Sequence, residues 1–447
     1  RVYSCLSHDI VAHETTHAVL DGMYRRFNEP TNKDVLALHE AFADIVALLQ
    51  HFTLPELLEH EIAKTRGNLE TESILGSLAI QFGHATGRGG ALRDAIGRND
   101  GTGWKRHVPD PRQYDKTTTP HARGAILVAA VFDAFLAIYQ ARTADLVRLA
   151  TGGTGVLPNG ALHPDLVRRL ADEATKSASH VLNMAIRALD YLPPVDVTFF
   201  EYLRALITAD FDLVRDDTFN YRVAFVEAFR RRGIHPESLS GSAADDPPRT
   251  LSVETLRWQG LEQERFDDEK WQRIRRLYKE VCSQLRVYAD AAVYLLRDRG
   301  ELFRVTEQHR RRLRNQLVAA FKAAPEFAEQ LGIETGSPFE VEELRRVTRI
   351  SPDGRQSPQA VVSLTQSKTI RSDGGSSYLF AGGSTLIVDL VKNDVLYSIR
   401  KRITNEQRQQ RTVDFVHSTE VDPLRALFFS PTRREPFAAL HSLFDDR

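Results

Sequence analysis

The chain has 447 residues, of which 42% are hydrophobic and 27% charged, and its formal net charge at pH 7 is −1. This composition predicts a globular protein with about three domain-sized units and enough apolar residues for substantial cores. The balanced charge gives no electrostatic signal for nucleic acid, and no uninterrupted apolar stretch approaches the ~18 residues that span a bilayer. We therefore predict no membrane partner and expect no nucleic acid.

The chain has two cysteines, Cys5 and Cys282, which lie far apart in different segments. Two cysteines exclude a disulfide framework and a cysteine-based zinc site. A chain without such a framework is typical of a reducing compartment. We therefore predict a cytoplasmic location, and this prediction rests on the cysteine count alone.

The most informative motif is the H-E-x-x-H sequence His13–His17, which lies within an apolar-periodic run from Ile10 to Leu20. On a helix, residues i and i+4 share one face, so both imidazoles can point at one metal ion. Glu14 flanks the same face. This pattern predicts a zinc peptidase helix with His13 and His17 as ligands and Glu14 as the general base. The bland alternative is a surface helix with two solvated histidines.

A second predicted helix, Val35–Leu49, is apolar on most faces and should be buried. It carries two carboxylates at i and i+4, Glu40 and Asp44, and a buried carboxylate is costly unless it is paired or bound to metal. Catalytic zinc takes three protein ligands and a water. We predict that Glu40 is the third ligand and that Asp44 accepts the outer N–H of His13. The alternative places both acids in solvent at a helix edge.

The segment Asp9–Asp21, followed by Glu40–Asp44, resembles the active site of thermolysin-like gluzincin metallopeptidases. In that family the third ligand is the glutamate of an E-A-x-x-D element on the next long helix. The metzincin pattern fits less well, since Leu20 and Met23 stand at its glycine and histidine positions. The resemblance implies a zinc-dependent endopeptidase with a zincin-like helical core, acting on a peptide or protein substrate. The acidic cluster that binds calcium in many members of that family is absent after Glu40 in this sequence, so the resemblance does not imply bound calcium.

The resemblance also implies several residues around the metal. Thr119–Gly124, which precedes a predicted helix Ala125–Tyr139, resembles the segment with the family's second active-site histidine. His121 would therefore stabilise the developing oxyanion, with Tyr24 as its partner in this role and Asp115 as the nearest acid to orient it. His39 stands where the family commonly has asparagine, so it either hydrogen-bonds His17 or is a spectator.

Substrate-binding residues are implied in the same way. Gly89–Asp94 resembles the family's L-R element, whose arginine binds a substrate carbonyl, here Arg93. Leu92 and Ile10 align with residues that line the pocket after the cleaved bond, which predicts a preference for an apolar residue there. Relatives also carry an upstream β-rich half, so the resemblance implies that this chain is a fragment or processed product, or that another segment supplies the substrate-pairing strand.

The rest of the chain divides by composition and periodicity. We predict a mainly α protein with a small β module: a catalytic core in residues 1–235, a linker in 236–252, a helical module in 253–335, and an antiparallel β module with a C-terminal tail in 336–447. A helix ending in Tyr221–Gly233 should close the core, because basic residues and glycine are typical of a helix C-terminus.

The two C-terminal modules carry no residue set that predicts chemistry. The basic cluster His309–Arg314 is predicted to be a solvated helix face, with a phosphate-binding patch as the alternative. Short strands are predicted at 360–365, 377–381, 385–390 and 395–399, with turns at Gly382-Gly383 and Lys392–Asp394. A recognition surface for a protein partner is their predicted use. Two further classes stay open for the whole chain: a zinc-binding interaction protein without catalysis, and a structural protein whose motif is coincidental.

Overall fold

A computed structural model describes residues 7–24, 26–71, 77–78, 93–94, 97–99, 104–214, 216–235, 252–261, 267–294, 297–351, 353–371 and 377–417. Of residues 77–78, 93–94, 98–99, 104 and 293–294 it describes the backbone alone. The chain forms two compact units. Unit 1 comprises Arg1–Asn28, Lys33–Arg187 and Asp216–Ser238, and unit 2 comprises Glu29–Asn32, Ala188–Arg215 and Leu239–Arg447.

Unit 1 is helical, with two short pairs of antiparallel strands. Its elements are α1 (His8–Met23), α2 (Lys33–Gln50), α3 (Pro55–Thr65), β1 (Ser77–Leu78), β2 (Arg93–Asp94), β3 (Gly97–Asn99), β4 (Trp104–Arg106), α4 (Gln113–Lys116), α5 (Pro120–Ala150), α6 (Pro164–Ala188) and α8 (Tyr221–Arg231). β1 pairs with β2 and β3 with β4, both antiparallel. The predicted end of α8 is confirmed: Gly233 follows it with a φ of +76°.

The core of unit 1 is built on α2 and α5, which pack against each other, while α2 also packs on α1 and α5 on α8. α2 is buried along nearly its whole length. Both helices are long and apolar enough to cross a bilayer, but 89% and 78% of their apolar windows are buried inside the structure. A buried core helix can be as long and as apolar as a membrane span. Burial in the core therefore explains the apolar composition of α2 and α5.

Unit 2 places a four-stranded antiparallel sheet between helices. Its elements are α7 (Phe199–Phe211), α9 (Val253–Leu256), α10 (Asp268–Tyr294), α11 (Arg299–Ala323), α12 (Pro325–Gln330), β5 (Phe339–Ile350), β6 (Gln356–Arg371), β7 (Ser377–Asp389), β8 (Asp394–Lys401) and α13 (Glu406–His417). The strand order is β5-β6-β7-β8. The predicted class, mainly α with a small antiparallel sheet, is therefore confirmed.

One continuous apolar core joins α10, α11 and α12 to the sheet, running from Trp271 to Val395. On the other side of the strands, Arg345 pairs with Asp190 and Tyr397 donates to Asp212, at 2.6 Å each. Residues 188–215 therefore belong to the same unit as the sheet. This division differs from the predicted domains, which assigned 188–215 to the core and separated the helical and β modules.

The predicted strands need two corrections. The turn at Gly382-Gly383 is wrong, because β7 continues through both glycines. A Cβ on Gly383 would lie 1.9 Å from the carbonyl oxygen of Leu364, so glycine is needed here for close strand approach. The prediction also lacks β5. The turn before Asp394 is confirmed, and Asn393 adopts a φ of +56° there.

Candidate metal centre

Three buried side chains from α1 and α2 converge in unit 1. Nε2 of His13 lies 2.9 Å from Nε2 of His17. The carboxylate of Glu40 lies 3.5 Å from the first nitrogen and 3.6 Å from the second. Within the described part of the chain, these three form one group whose ligand atoms all lie within 4.8 Å of one another.

The donor set fits a zinc ion. In a tetrahedral site with metal–ligand distances of about 2.0–2.1 Å, ligand atoms stand about 3.3 Å apart. The two His–Glu distances are close to this value, and the His–His distance is somewhat shorter. Two imidazoles and one carboxylate are also the ligands that catalytic zinc takes, with one position left for water. The arrangement follows from the i, i+4 spacing on α1 and from packing α1 onto α2.

Each histidine of this group has a neighbour at its outer nitrogen. Nδ1 of His13 lies 2.8 Å from Oδ1 of Asp44, the pair that the sequence predicted. Nδ1 of His17 lies 2.6 Å from Nδ1 of His39. His39 is therefore in contact with His17, as the first of the two alternatives predicted. Beyond it, Nε2 of His39 lies 3.3 Å from Oδ1 of Asp21.

Sequence reasoning missed Asp21. A signal was present, because Asp21 follows His17 at i+4 and so lies on the same face of α1. Its side chain also accepts a 3.2 Å hydrogen bond from Nδ2 of Asn28. Burial would raise the pKa of Asp21, but the contact with His39 outweighs it and holds that pKa below 3.8.

The electrostatics of Glu40 and His39 favour a site that binds a cation. Burial would raise the pKa of Glu40, but His13 and His17 hold it well below its ordinary value, so this carboxylate is ionised. Burial lowers the pKa of His39, and the nearby Asp21 opposes that effect only in part. The ionised Glu40 carboxylate, which is 1% exposed, therefore places a buried negative charge beside His13 and His17.

The first turn of α5 approaches the site beside Glu40. Nε2 of His121 lies 3.6 Å from Oε2 of Glu40, and 32% of the His121 side chain is exposed. The prediction placed His121 just before the helix. It lies instead within the first turn, because Pro120 occupies the first helical position, where its missing N–H costs nothing.

Buried polar contacts fix this turn against α2. Arg123 donates to Asp34 and to the carbonyl oxygen of Tyr114, and the Tyr114 hydroxyl donates to Asp34 at 2.6 Å. Next to it, Gly124 permits close packing: a Cβ there would lie 2.9 Å from the carbonyl oxygen of Ala37 and 3.5 Å from Cβ of Glu40. These contacts fix the position of His121 along the axis of α2.

The other predicted residues have different outcomes. Glu14 is exposed, and Ile10 is half-buried on α1. Tyr24 is buried and its ring stacks on Phe27, with centroids 4.9 Å apart. Asp115 is exposed on α4, and the ion pair found for His121 among the described residues is with Glu40 rather than Asp115. Leu92 and the Arg93 side chain lie outside the described residues.

Comparison with known proteins adds no relative. No protein-family model matches the chain, and neither a curated protein nor a solved structure matches it. The resemblance to thermolysin-like gluzincins therefore stays a prediction carried by the motifs themselves. The geometry of His13, His17 and Glu40 stands independently of it.

Proposed function

We propose that this protein is a zinc-dependent endopeptidase whose metal is held by His13, His17 and Glu40. The observation that carries the proposal is the convergence of these three buried side chains from two helices. A surface helix with two solvated histidines would leave both rings exposed, whereas His13 and His17 are 8% and 0% exposed. The ion would supply Lewis-acid polarisation of the scissile carbonyl and a lowered pKa for a bound water.

The chain's own residues would handle protons and charge around that ion. Glu14 follows His13 by about 100° around the helix axis, so it lies beside the ligand face of α1. Its exposed carboxylate can accept the proton of the attacking water and pass it to the leaving amine. His121, whose Nε2 lies 3.6 Å from Oε2 of Glu40, would donate a hydrogen bond to the oxyanion.

The substrate class follows from the resemblance rather than from the described site. Peptide hydrolysis is the activity of the family whose motifs match Asp9–Asp21 and Glu40–Asp44. Ile10 and Leu92 then favour an apolar residue after the cleaved bond, and Arg93 binds a substrate carbonyl. A cytoplasmic location, predicted from the cysteine count, and a protein partner for the C-terminal modules remain predictions that do not depend on the resemblance.

Metal content and cleavage by the full chain test this function. Mass spectrometry should find about one zinc per chain, and Glu40→Ala should lower that content because it removes a ligand. Glu14→Gln should retain the zinc and lower peptide cleavage by at least about a hundredfold. Glu59→Gln, an exposed glutamate on α3, is the matched control and should cleave like wild type.

Two outcomes would overturn the proposal. A folded wild-type chain without zinc would remove the metal centre. Zinc without chelator-sensitive cleavage would leave the non-catalytic alternative, a zinc-binding interaction protein. Full activity of Glu14→Gln would sink the assigned mechanism even if the metal were present.

A further inference from the structure

His17 and His39 meet edge to edge. Their ring planes are within 6° of parallel and their centroids are 4.7 Å apart. The facing Nδ1 atoms are only 2.6 Å apart, far closer than the centroids and too close for face-to-face stacking. The two rings therefore share an N–H···N hydrogen bond nearly in one plane, in which one nitrogen donates and the other accepts.

The ligand role of His17 decides the direction of this bond. A neutral imidazole carries one N–H, and metal binding at Nε2 requires that this proton be on Nδ1. Nδ1 of His17 is then the donor, and Nδ1 of His39 must accept. The proton of His39 is thereby placed on Nε2, which lies 3.3 Å from the carboxylate of Asp21.

We propose that Asp21 is a positioning residue that acts through His39: it holds the proton of His39 on Nε2, and this fixes the tautomer of His17 that presents Nε2 to the metal. The proposal rests on the proposed zinc centre and deepens it. Asp44 supports His13 directly at 2.8 Å, whereas Asp21 supports His17 through a second imidazole.

Without Asp21, His39 has no fixed tautomer. With its proton on Nδ1, His39 would donate to His17 and move the His17 proton to Nε2, where it blocks metal binding. Asparagine at position 39 would not depend on Asp21 in this way, because its amide oxygen always accepts. Zinc affinity should therefore no longer depend on Asp21 when His39 is replaced by asparagine.

Zinc affinity, measured by competition with a chromophoric chelator on the full chain, tests this coupling. Asp21→Asn keeps the shape of the side chain and should weaken zinc binding by about tenfold to a hundredfold, the usual effect of losing such a supporting group. In a His39→Asn background, the same substitution should change the affinity by less than about twofold. Asn28→Ala removes the other contact of Asp21 and is the matched control, with wild-type affinity.

If Asp21→Asn lowered zinc affinity equally in the wild-type and His39→Asn backgrounds, Asp21 would have a purely structural role and the proposal would be overturned. Wild-type zinc affinity in the Asp21→Asn protein would overturn it as well. ¹⁵N NMR of histidine-labelled, metal-free protein gives a second readout that needs no zinc. It should show His17 protonated on Nδ1 and His39 on Nε2, with the His39 preference lost in Asp21→Asn. A wild-type chain without zinc would thus defeat the proposed function, while the tautomers would still decide the role of Asp21.

Discussion

Oδ1 of Asp44 lies 2.8 Å from Nδ1 of His13, one turn after Glu40 on the same helix. α2 therefore supplies both a ligand for the proposed metal and the acid that orients a ligand on α1. Because Asp44 is 4% exposed and His13 is 8% exposed, solvent competes little for this contact. The pair explains why a helix that is otherwise apolar on most faces carries two carboxylates at i and i+4.

Removal of Asp44 should weaken zinc binding although no metal ligand is removed. Asp44→Ala removes the carboxylate that lies 2.8 Å from the outer nitrogen of His13, so we expect zinc affinity to fall by about tenfold to a hundredfold. Asp44→Asn keeps an oxygen acceptor and should lose less. Chelator competition measures both, and an Asp44→Ala protein that binds zinc like wild type would contradict the assigned contact.

His121 should affect turnover more than metal binding. It does not belong to the group of ligand atoms formed by His13, His17 and Glu40 in the described structure. We therefore expect His121→Gln to keep about one zinc per chain and to lower kcat by about 10²–10³-fold, the usual effect of removing one oxyanion donor. A loss of zinc in parallel with activity would instead make His121 a ligand.

The convergence of His13, His17 and Glu40 could be predicted from the sequence because its signals are local. The i, i+4 spacing of His13 and His17 sets a helix face, and the cost of burying Glu40 and Asp44 requires partners. Asp21 was missed because its contact with His39 depends on how α1 packs on α2. The oxyanion partner Tyr24 and the orienting acid Asp115 were drawn from resemblance alone.

β5 was missed for a different reason. Its sequence is rich in charge, with Glu343, Arg345 and Arg349 among its residues, and charged runs do not predict a buried strand. In unit 2 both arginines form ion pairs with Asp190, each at 2.6 Å, so a tertiary partner stabilises them in the strand. Local propensity carries no information about a partner about 155 residues away in the chain.

Gly124 should be needed for close approach of α5 to α2. The added methyl group of Gly124→Ala would lie 2.9 Å from the carbonyl oxygen of Ala37, and overpacking costs about 1–3 kcal/mol. We expect a lower free energy of unfolding in urea and weaker zinc binding, since Glu40 lies beside the clash. Gly22 on α1 has open space around it, so Gly22→Ala is the control. It should stabilise the protein by about 0.5–1 kcal/mol through helix propensity. If Gly124→Ala raised the free energy of unfolding as much as Gly22→Ala does, the tight packing at Gly124 would be contradicted.

A buried charge network in unit 2 should make stability depend on pH. The carboxylate of Asp196 accepts from Nε of Arg408 at 3.0 Å, and Nζ of Lys401, a fully buried group, lies 4.0 Å from it. Burial would raise the pKa of Asp196, but Lys401 and Arg408 hold it below 3.8. Because the unfolded chain binds the proton more tightly, the contribution of Asp196 is present at neutral pH and is lost as the pH falls below about 3.8.

Asp196→Asn tests this contribution. Asparagine also tolerates the left-handed backbone of this position, where φ is +56°, so the substitution removes charge with little strain. It removes the carboxylate that accepts from Arg408, whereas Lys401 keeps its ion pair with Glu201 at 2.7 Å, and we expect a loss of about 3 kcal/mol at pH 7. The difference from wild type should narrow as the pH falls toward 3, whereas Asp414→Asn, at an exposed site on α13, should stay near wild type throughout. Urea unfolding, followed by the fluorescence of Trp258 and Trp271 in unit 2, measures the difference in free energy of unfolding between wild type and Asp196→Asn. If this difference did not change with pH, the charge of Asp196 would not be its source.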